Sequence, residues 1–319
     1  MNPVVLLTHA IHPAAMKRLG EEAEVRIAQA HDEASLCRAV EDVSGIIVRM
    51  PLSPAVIAAG KRLRVVARHG VGLDYIPVDT CTELGLPVIF TPNANTESVA
   101  EHAIGSMIGL AHYFGPADRA VRSHAWAKRE NMIGLDLFGR CVGIVGMGRI
   151  GTRVAAICHA FNMRVLAYDP HLAPEAIRER GGQPVSFEDL LMQAEFLTLH
   201  LPLNRTTMHI IDSDALARVR RGAFLINAAR GGLVDTEALA TALRDGRVRG
   251  AALDVLEEEP PSARNPLLEF ENVIFTPHSA ALTEEALLRM GMDSTEDVLR
   301  VLRGEAPINC ANRDELRCG

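Results

Sequence analysis

A short apolar run that ends in three closely spaced glycines constrains this chain more than any other segment. Residues 141–145 are apolar and rich in β-branched side chains, and they lead into Gly146-Met147-Gly148-Arg149-Ile150-Gly151. An apolar-rich segment with helical spacing then continues to about His159. The pattern predicts a strand, a tight turn and a helix in direct succession.

The three glycines of this turn have different physical roles. Gly146 permits the turn, Gly148 lets the backbone approach a ligand with no Cβ in the way, and Gly151 lets the helix pack closely on the strand. The helix N-terminus, which includes Arg149 and Ile150, offers unpaired N–H groups and a partial positive charge to a pyrophosphate. The turn therefore predicts a dinucleotide-binding site.

An acidic residue at the end of the next strand supports this prediction. The apolar strand Met163–Tyr168 is followed by Asp169, which lies 23 residues after Gly146. An acid about 20 residues after the first glycine hydrogen-bonds the adenosine ribose. A carboxylate there repels a 2′-phosphate, so the sequence favours NAD over NADP. His171 could weaken this preference, although one partly charged imidazole is a poor substitute for arginine.

Length and charge limit the class of protein. The 319 residues suggest two domains, and 48% hydrophobic with 23% charged residues indicates a soluble globular protein. The net charge of −7 argues against a nucleic-acid or anionic-membrane surface. No apolar run reaches the roughly 18 residues of a membrane span, and the N-terminus lacks the basic start of a signal peptide.

The cysteines and histidines predict neither disulfides nor a metal site. The six cysteines contain no CxxC pair, and they lie at positions 37, 81, 141, 158, 310 and 318. Cys141 and Cys158 fall on apolar faces of core elements, which indicates reduced thiols and a cytoplasmic protein. The twelve histidines are scattered, so no metal site is predicted.

Alternating strands and helices predict two parallel sheets. The first part of the chain has five strands, which are Val4–Leu7, Ala23–Ile27, Gly45–Arg49, Arg64–Arg68 and Pro87–Phe90. The second part has six, which are Cys141–Val145, Met163–Tyr168, Phe196–Leu201, Ala223–Asn227, Arg249–Val255 and Val273–Thr276. The predicted fold class is α/β, with two doubly wound parallel-sheet domains.

Two long helices connect these parts. The first opens with Thr96 as its N-cap, runs to about Phe114 and is broken by Gly115-Pro116. Its small residues, among them Ala103, Gly105, Ser106 and Gly109, suit either tight internal packing or a dimer interface. The second, Thr283 to about Arg303, is expected to return to the first sheet. The predicted domains are residues 1–97 with 284–319, for substrate, and 98–283, for the cofactor.

Three polar residues follow neighbouring strands of the second sheet. Arg230 follows Ala223–Asn227, Glu259 follows Arg249–Val255, and His278 follows Val273–Thr276. Ligands of open parallel sheets bind beyond the carboxyl ends of the strands. We therefore expect these three side chains to converge on one site.

The same residues belong to motifs of a known family. The chain resembles the D-isomer-specific 2-hydroxyacid dehydrogenases, which include D-3-phosphoglycerate dehydrogenase, glycerate and hydroxypyruvate reductases, and formate dehydrogenase. The resemblance rests on GVGLD at 70–74, NTESVAE at 95–101, GMGRIG at 146–151, HLPL at 200–203, NAARG at 227–231, ALDV at 252–255 with Glu259-Pro260, and TPH at 276–278.

This resemblance implies a fold and a set of site residues. It implies a Rossmann NAD-binding domain inserted into a flavodoxin-like substrate domain, assembled as a homodimer. Arg230, Glu259 and His278 would be catalytic, and Arg49 with the backbone N–H groups of Val71 and Gly72 would bind the substrate carboxylate. Asp254 would hold the nicotinamide carboxamide. The other implied cofactor positions are Thr96, Pro170, His200, Leu201, Pro202, Ala228, Ala229 and Ala280.

The chemistry assigns a role to each catalytic residue. Oxidation of a 2-hydroxy acid requires loss of its hydroxyl proton, and an imidazole is well suited to take it near pH 7. His278 would be the base in oxidation and the acid in reduction, with Glu259 fixing its tautomer. Arg230 would bind a carboxylate or polarise a 2-oxo group. Formate has no such proton, and its dehydrogenases carry Gln in place of Glu259, which argues against formate.

Three departures from the family pattern leave the substrate open. They are Met50 after Arg49, Arg68-His69 before the GVG motif, and Ser279-Ala280-Ala281 after His278. The chain stops soon after its closing helix, which predicts a short form without the family's regulatory domain. The alternative function is a non-catalytic NAD-sensing protein of the corepressor type. Another Rossmann enzyme, such as a methyltransferase, would lack the three catalytic residues.

Overall fold

The computed structural model describes residues 2–316, which form two compact α/β units. One unit extends to Asn95 and resumes at Leu282, and the other comprises Thr96–Ala281. Each contains one sheet in which all strands are parallel, so the predicted fold class is confirmed. No helix in the described part of the chain is long and apolar enough to cross a membrane. Cys318 lies outside the described residues.

The first unit has a five-stranded sheet in the order β2-β1-β3-β4-β5. Its strands are β1 Val4–Leu7, β2 Glu24–Ile27, β3 Gly45–Val48, β4 Val65–Arg68 and β5 Val88–Ile89. All four residues of β3 are buried, as expected for a central strand covered on both faces. The five predicted strands are present, and none of their ends differs from the prediction by more than one residue.

Helices cover both faces of this sheet. They are α1 Pro13–Gly20, α2 Glu33–Val40, α3 Pro54–Ala59, α4 Val78–Glu83, α12 Glu284–Leu302 and α13 Arg313–Leu316. The Thr283 side chain accepts a hydrogen bond from the Ala286 N–H and so caps α12. A Cβ on Gly291 would lie 2.8 Å from the Ala15 Cβ, so α12 packs tightly against α1 only because this residue is glycine.

The second unit has a seven-stranded sheet in the order β12-β11-β10-β9-β6-β7-β8. Its strands are β6 Cys141–Val145, β7 Arg164–Tyr168, β8 Gln183–Pro184, β9 Phe196–Leu199, β10 Ala223–Asn227, β11 Val248–Leu253 and β12 Val273–Phe275. The prediction of six strands was wrong by one, because β8 is an edge strand of two residues with no apolar run to mark it.

The helices of the second unit lie between these strands and before β6. They are α5 Thr96–Ala111, α6 Phe114–Arg122, α7 Arg149–Ala160, α8 Pro174–Glu179, α9 Phe187–Gln193, α10 Ser213–Arg218 and α11 Thr236–Arg244. Short 3₁₀ helices span Trp126–Asn131, Gly231–Leu233 and Pro266–Glu269.

The predicted start and end of the first long helix need correction. Thr96 is the first residue of α5 and does not precede the helix as a cap. The helix ends at Ala111, and Tyr113 adopts a left-handed conformation with φ of 56°. Gly115 and Pro116 do not break a helix but lie in the first turn of α6, where the missing N–H of proline costs no hydrogen bond.

Three of the four small residues named in α5 serve internal packing, whereas Gly105 is exposed. Ala103, Ser106 and Gly109 are buried, and α5 packs against α7, β10 and β11. A Cβ on Gly109 would lie 3.2 Å from the Ile274 Cδ1. The sequence left open whether these residues serve internal packing or a dimer interface. At Ala103, Ser106 and Gly109 the structure supports internal packing.

The described cysteines are all free. Burial raises the pKa of Cys81 and of Cys158 to about 12 in each case, so both remain protonated thiols near neutral pH. Among residues 2–316 no group of three or more His, Cys or acidic side chains is placed to hold a metal ion.

Candidate active site

The glycine turn after β6 can be built only with glycine at its first position. Gly146 has φ of +100°, and a Cβ there would lie 2.8 Å from the backbone carbon and oxygen of His200. The Gly146 N–H donates to the Tyr168 carbonyl at 2.8 Å. The turn is thus held between the ends of β7 and β9, the two strands that flank β6.

The start of α7 fits a pyrophosphate. A Cβ on Gly151 would lie 2.0 Å from the Gly146 carbonyl oxygen, so the helix rests directly on the turn. A Cβ on Gly148 would instead have no atom within 4 Å, which leaves the backbone open to a ligand. Arg149 and Ile150 follow in the first helical turn, where backbone N–H groups have no partner within the helix. These features match the requirements of a dinucleotide turn.

Asp169 lies against this turn. Its Oδ2 accepts a hydrogen bond from the Met147 N–H at 2.9 Å, and its Oδ1 accepts one from the His171 N–H at 2.9 Å. Pro170 is exposed beside it. The carboxylate is therefore fixed next to the glycines, where an adenosine ribose would follow the pyrophosphate.

An arginine that the motifs did not identify also contacts the turn. Arg180 Nη1 donates to the Met147 carbonyl at 2.6 Å, on the residue whose N–H binds Asp169. Arg180 lies just beyond the end of α8 and outside every motif noted above. Only the folded structure could place it here.

The segment after β9 begins with His200 and Leu201, which are partly buried and buried, and continues into mostly exposed residues. His200 Nε2 lies 2.9 Å from the Thr198 hydroxyl oxygen, while its Nδ1 is buried with no hydrogen-bond partner among the described residues. Burial lowers the pKa of His200 to about 4, so the ring is neutral. Leu201 is buried, and the Pro202 carbonyl accepts a hydrogen bond from the Thr207 hydroxyl at 2.7 Å.

The next strand, β10, continues into Ala228, Ala229 and Arg230. The Ala229 N–H donates to Asn227 Oδ1 at 3.1 Å, and Asn227 Nδ2 donates to the Arg230 carbonyl at 2.8 Å. Arg230 Nη1 donates to the Ala229 carbonyl at 2.6 Å. The buried Asn227 therefore fixes the loop that presents the arginine.

His278 and Glu259 form a hydrogen-bonded pair. His278 Nδ1 lies 2.8 Å from Glu259 Oε2, and Glu259 Oε1 accepts a hydrogen bond from the Leu256 N–H at 3.0 Å. Burial acts to raise the pKa of Glu259, but the bonds from His278 and Leu256 outweigh it, so the pKa is lowered. The ring Nε2 has no hydrogen-bond partner among residues 2–316 and can exchange a proton.

Asp254 fixes the backbone turn that carries His278. The buried carboxylate accepts hydrogen bonds through Oδ1 from the Thr276 hydroxyl at 2.5 Å and the Ser279 N–H at 2.8 Å. Its Oδ2 accepts one from the Ala280 N–H at 2.9 Å. His278 itself has φ of 51°, a conformation unusual for a residue other than glycine. Asp254 thus holds the imidazole-bearing turn from both sides.

Two of the predicted catalytic residues, Glu259 and His278, are in contact. Arg230 lies on the loop after β10, beside the strand that leads to Glu259. The two loops touch through their backbones, since a Cβ on Gly231 would lie 2.0 Å from the Leu256 carbonyl carbon. The arginine is therefore presented from a loop in direct contact with the loop of Glu259.

The first unit contains the predicted carboxylate-binding residues. Arg49 follows β3 and is half-buried, and its Nη1 donates to the Ala10 carbonyl at 2.6 Å. Its guanidinium has no carboxylate partner among residues 2–316, and burial lowers its pKa. Arg68 Nε donates to the Gly72 carbonyl at 3.1 Å, which holds the loop of Val71 and Gly72.

Histidines surround this cation in the first unit. His69 is buried, its Nε2 has no partner among the described residues, and burial together with Arg49 and Arg68 lowers its pKa to about 3. His9 and His31 stack with ring centroids 4.3 Å apart, and burial with the nearby charges of His31 and Arg49 lowers the pKa of His9. The stacked pair was not predicted, because the two residues lie in different loops.

Comparison with known proteins places the chain in a family. Residues 104–280 match the family model described as D-isomer specific 2-hydroxyacid dehydrogenase, NAD binding domain. That segment includes the glycine turn, Asp169 and the pair Glu259–His278 described above. The chain belongs to the D-isomer specific 2-hydroxyacid dehydrogenase family, as the sequence motifs predict.

Relatives of known name and structure extend over nearly all of the chain. It is 42% identical to D-3-phosphoglycerate dehydrogenase of Mycobacterium leprae, over 98% of this chain and 59% of that protein. It is 36% identical to glyoxylate reductase of Aeropyrum pernix, over 99% and 98% of the two chains. A crystal structure of a protein from Thermus thermophilus, 35% identical, superposes with a TM-score of 0.88 over 97% and 99% of the two chains. The chain thus spans about three-fifths of the length of the mycobacterial relative.

Proposed function

We propose that this protein is an NAD-dependent oxidoreductase that transfers a hydride between NAD(H) and a small D-2-hydroxy acid or 2-oxo acid. The observation that carries the proposal is the hydrogen-bonded pair His278–Glu259, which lies in the same unit as a glycine turn that fits a pyrophosphate. The family and its named dehydrogenases and reductases support the same reaction class.

His278 moves the proton of the reaction. In oxidation, Nε2 takes the hydroxyl proton of the 2-hydroxy acid, and in reduction it returns a proton to the carbonyl oxygen. Glu259 is ionised because its pKa is lowered, so it stabilises the imidazolium through Nδ1 and keeps Nε2 as the exchanging atom. NAD, when bound, supplies or accepts the hydride.

The arginines bind the anionic part of the substrate. Arg230 offers a planar fork of donors to the carboxylate or to the 2-oxo group. Arg49, with no acidic partner of its own among the described residues, and the N–H groups of Val71 and Gly72 are proposed to bind the substrate carboxylate. Asp254, besides fixing the His278 turn, is proposed to bind the nicotinamide carboxamide.

The cofactor residues divide between the two ends of NAD. Gly148, Arg149 and Ile150 are proposed to bind the pyrophosphate, and Asp169 the adenosine ribose, which favours NAD over NADP. The remaining proposed contacts are Thr96, Gly146, Gly151, Pro170, His200, Leu201, Pro202, Ala228, Ala229 and Ala280.

We also propose that the protein is a cytoplasmic homodimer. Exposed apolar side chains follow α5 in the second unit, with Trp126 64%, Ile133 78% and Phe138 73% exposed. Exposed apolar side chains mark interaction surfaces where they form a contiguous patch, and we propose that these three contribute to an interface with a second copy. The described cysteines are all free and three of them are buried, which suits a reducing compartment. Sedimentation of the wild type and of Trp126→Ser tests the dimer, which should weaken in the variant.

A substrate panel tests the proposed reaction. NADH oxidation is followed with glyoxylate, hydroxypyruvate, pyruvate, oxaloacetate, 3-phosphohydroxypyruvate and 3-sulfopyruvate, and the series is repeated with NADPH. Turnover of at least one acid with NADH is the expected result. NADH binding with no turnover of any acid would favour the non-catalytic NAD-sensing function instead.

A further inference from the structure

The segment 257–259 pairs with two histidines rather than one. Glu259 contacts His278, and Glu257, two residues earlier, contacts His209, with Oε1 and Nε2 2.5 Å apart. Both histidines adopt left-handed backbone conformations, with φ of 51° at His278 and 49° at His209. The second pair has no role in the reaction described above.

Glu257 joins three separate segments of the second unit. Its Oε2 accepts a hydrogen bond from the N–H of Thr236, the first residue of α11, at 2.9 Å. Its Oε1 contacts His209, which lies between β9 and α10. The His209 N–H donates to the Gly232 carbonyl at 2.8 Å. Glu257 and His209 therefore both hold the segment that begins at Arg230 and leads into α11.

The pair Glu257–His209 lies beside a close contact between the backbones of Gly231 and Leu256. Gly231 lies against Leu256, where a Cβ would come within 2.0 Å of the carbonyl carbon. The Leu256 N–H in turn donates to Glu259 Oε1 at 3.0 Å. A displacement of Leu256 relative to Gly231 would change the positions of Arg230 and Glu259 together.

The Glu257 carboxylate is the charged partner in its contact with His209. Burial acts to raise the pKa of Glu257, but hydrogen bonds from Thr236 and His209 outweigh it, so the pKa is lowered and the carboxylate is ionised. Asp235 Oδ2 lies 4.0 Å from His209 Nδ1 on the other side of the ring. Glu258, between the two paired glutamates, is exposed and has no hydrogen bond or ion pair with the described residues.

We propose that Glu257 and His209 are positioning residues that hold the Arg230 loop and the Glu259 loop in register for the reaction. The proposal rests on the proposed function, because the two loops affect the reaction only by positioning Arg230, Glu259 and, through Glu259, His278. The pair itself need not touch substrate or cofactor.

The first test compares Glu257→Gln with Glu258→Gln. Glu257→Gln removes the charge that holds His209 and should lower kcat roughly 10- to 100-fold, since small misplacements of catalytic groups have effects of that order. The Kd of NADH, measured by fluorescence, should change much less than kcat, because the glycine turn lies outside the segments that Glu257 and His209 hold. Glu258→Gln, with the same change of charge, should retain wild-type kcat.

The second readout separates positioning from general stability. The groups that face Glu259 are His278, the Leu256 N–H and the charge of Asp254. Loss of register weakens the hydrogen bonds that lower the pKa of Glu259, so its pKa should rise in Glu257→Gln and stay unchanged in Glu258→Gln. The carboxyl ¹³C shift of labelled Glu259, assigned with Glu259→Gln, reports this without substrate. The measurement therefore remains informative even if the protein does not catalyse the proposed reaction.

Variants at His209 test the pair from its other side. His209→Gln keeps a donor for Glu257 and should shift the Glu259 titration less than His209→Ala. The proposal is overturned if Glu257→Gln behaves like Glu258→Gln. It is equally overturned if the variants lower only the melting temperature while the Glu259 titration stays at its wild-type position. If Glu257→Gln fails to fold, the two His209 variants decide the matter by the same criterion.

Discussion

His278 and Glu259 meet through Nδ1 and Oε2 at 2.8 Å, although they are 19 residues apart in the chain. The contact forms because β11 and β12 are parallel neighbours, so the segments that follow them leave the sheet at the same edge. The carboxylate is ionised and the ring is held by one nitrogen, which leaves the other for proton transfer. This pair is the core of the proposed mechanism.

The pair has a consequence for pH dependence. The pKa of Glu259 is lowered in the folded protein, so the carboxylate remains ionised as pH falls below the usual range of a glutamate and is protonated only at the lowered value. Activity should therefore fall on the acid side as Glu259 takes up a proton. Glu259→Gln should lose this dependence and lower kcat by roughly 10²-fold, as measured in kcat–pH profiles. An unaltered profile would show that Glu259 does not act through His278.

Two glycines of the turn should respond differently to alanine. Gly148→Ala adds a methyl group into open space, so the variant should keep its melting temperature but lose most NADH affinity, because the backbone can no longer approach the pyrophosphate. Gly151→Ala places a Cβ 2.0 Å from the Gly146 carbonyl oxygen and should destabilise the fold by about 1–3 kcal/mol. Calorimetry and NADH fluorescence titrations distinguish the two. Tight NADH binding by Gly148→Ala would contradict the assigned pyrophosphate site.

Asp169 should determine the choice of cofactor. Asp169→Ala removes the acceptor for the ribose hydroxyls and the repulsion of a 2′-phosphate, so NADH binding should weaken and its advantage over NADPH should narrow. The exposed Glu179, on the helix that follows, provides the control Glu179→Gln. An unchanged ratio of the two Kd values in Asp169→Ala would mean that the carboxylate does not contact the ribose.

Arg49 should affect substrate binding more than turnover. Its guanidinium is half-buried and has no acidic partner among the described residues, as expected for a group that binds an anionic substrate. Arg49→Gln should raise the KM of the 2-oxo acid by about tenfold or more, with a smaller change in kcat. Arg62→Gln, at an exposed position of the same unit, should leave both constants unchanged. A lower kcat at constant KM would place Arg49 outside the binding step.

Much of the fold could be predicted because parallel strands that are buried on both faces have a strong apolar signal. The glycine turn could also be predicted, because each of its three glycines stands at a position where a side chain would obstruct the turn, the ligand or the helix. The edge strand β8 has two residues, one of them Pro184, and carries no such signal. The prediction that Gly115 and Pro116 break a helix is wrong, because proline breaks a helix in its interior but is tolerated in its first turn.

The site residues that belong to sequence motifs could be predicted. The contacts that join segments distant in sequence could not. Arg230, Glu259 and His278 stand at strand ends, so topology alone indicates that they share an edge. Arg180 reaches the glycine turn from beyond another helix, and His209 meets Glu257 across 48 residues. Neither contact follows from spacing or composition, because each depends on how loops pack after the sheet has formed.

The most direct test of proton transfer by His278 is the variant His278→Ala, assayed with the 2-oxo acid that the wild type reduces best. The variant should lower kcat by roughly 10²- to 10⁴-fold, as expected for loss of a general acid–base group, while the Kd of NADH stays close to the wild-type value. Near-normal turnover by the variant would contradict the central claim that His278 transfers the proton.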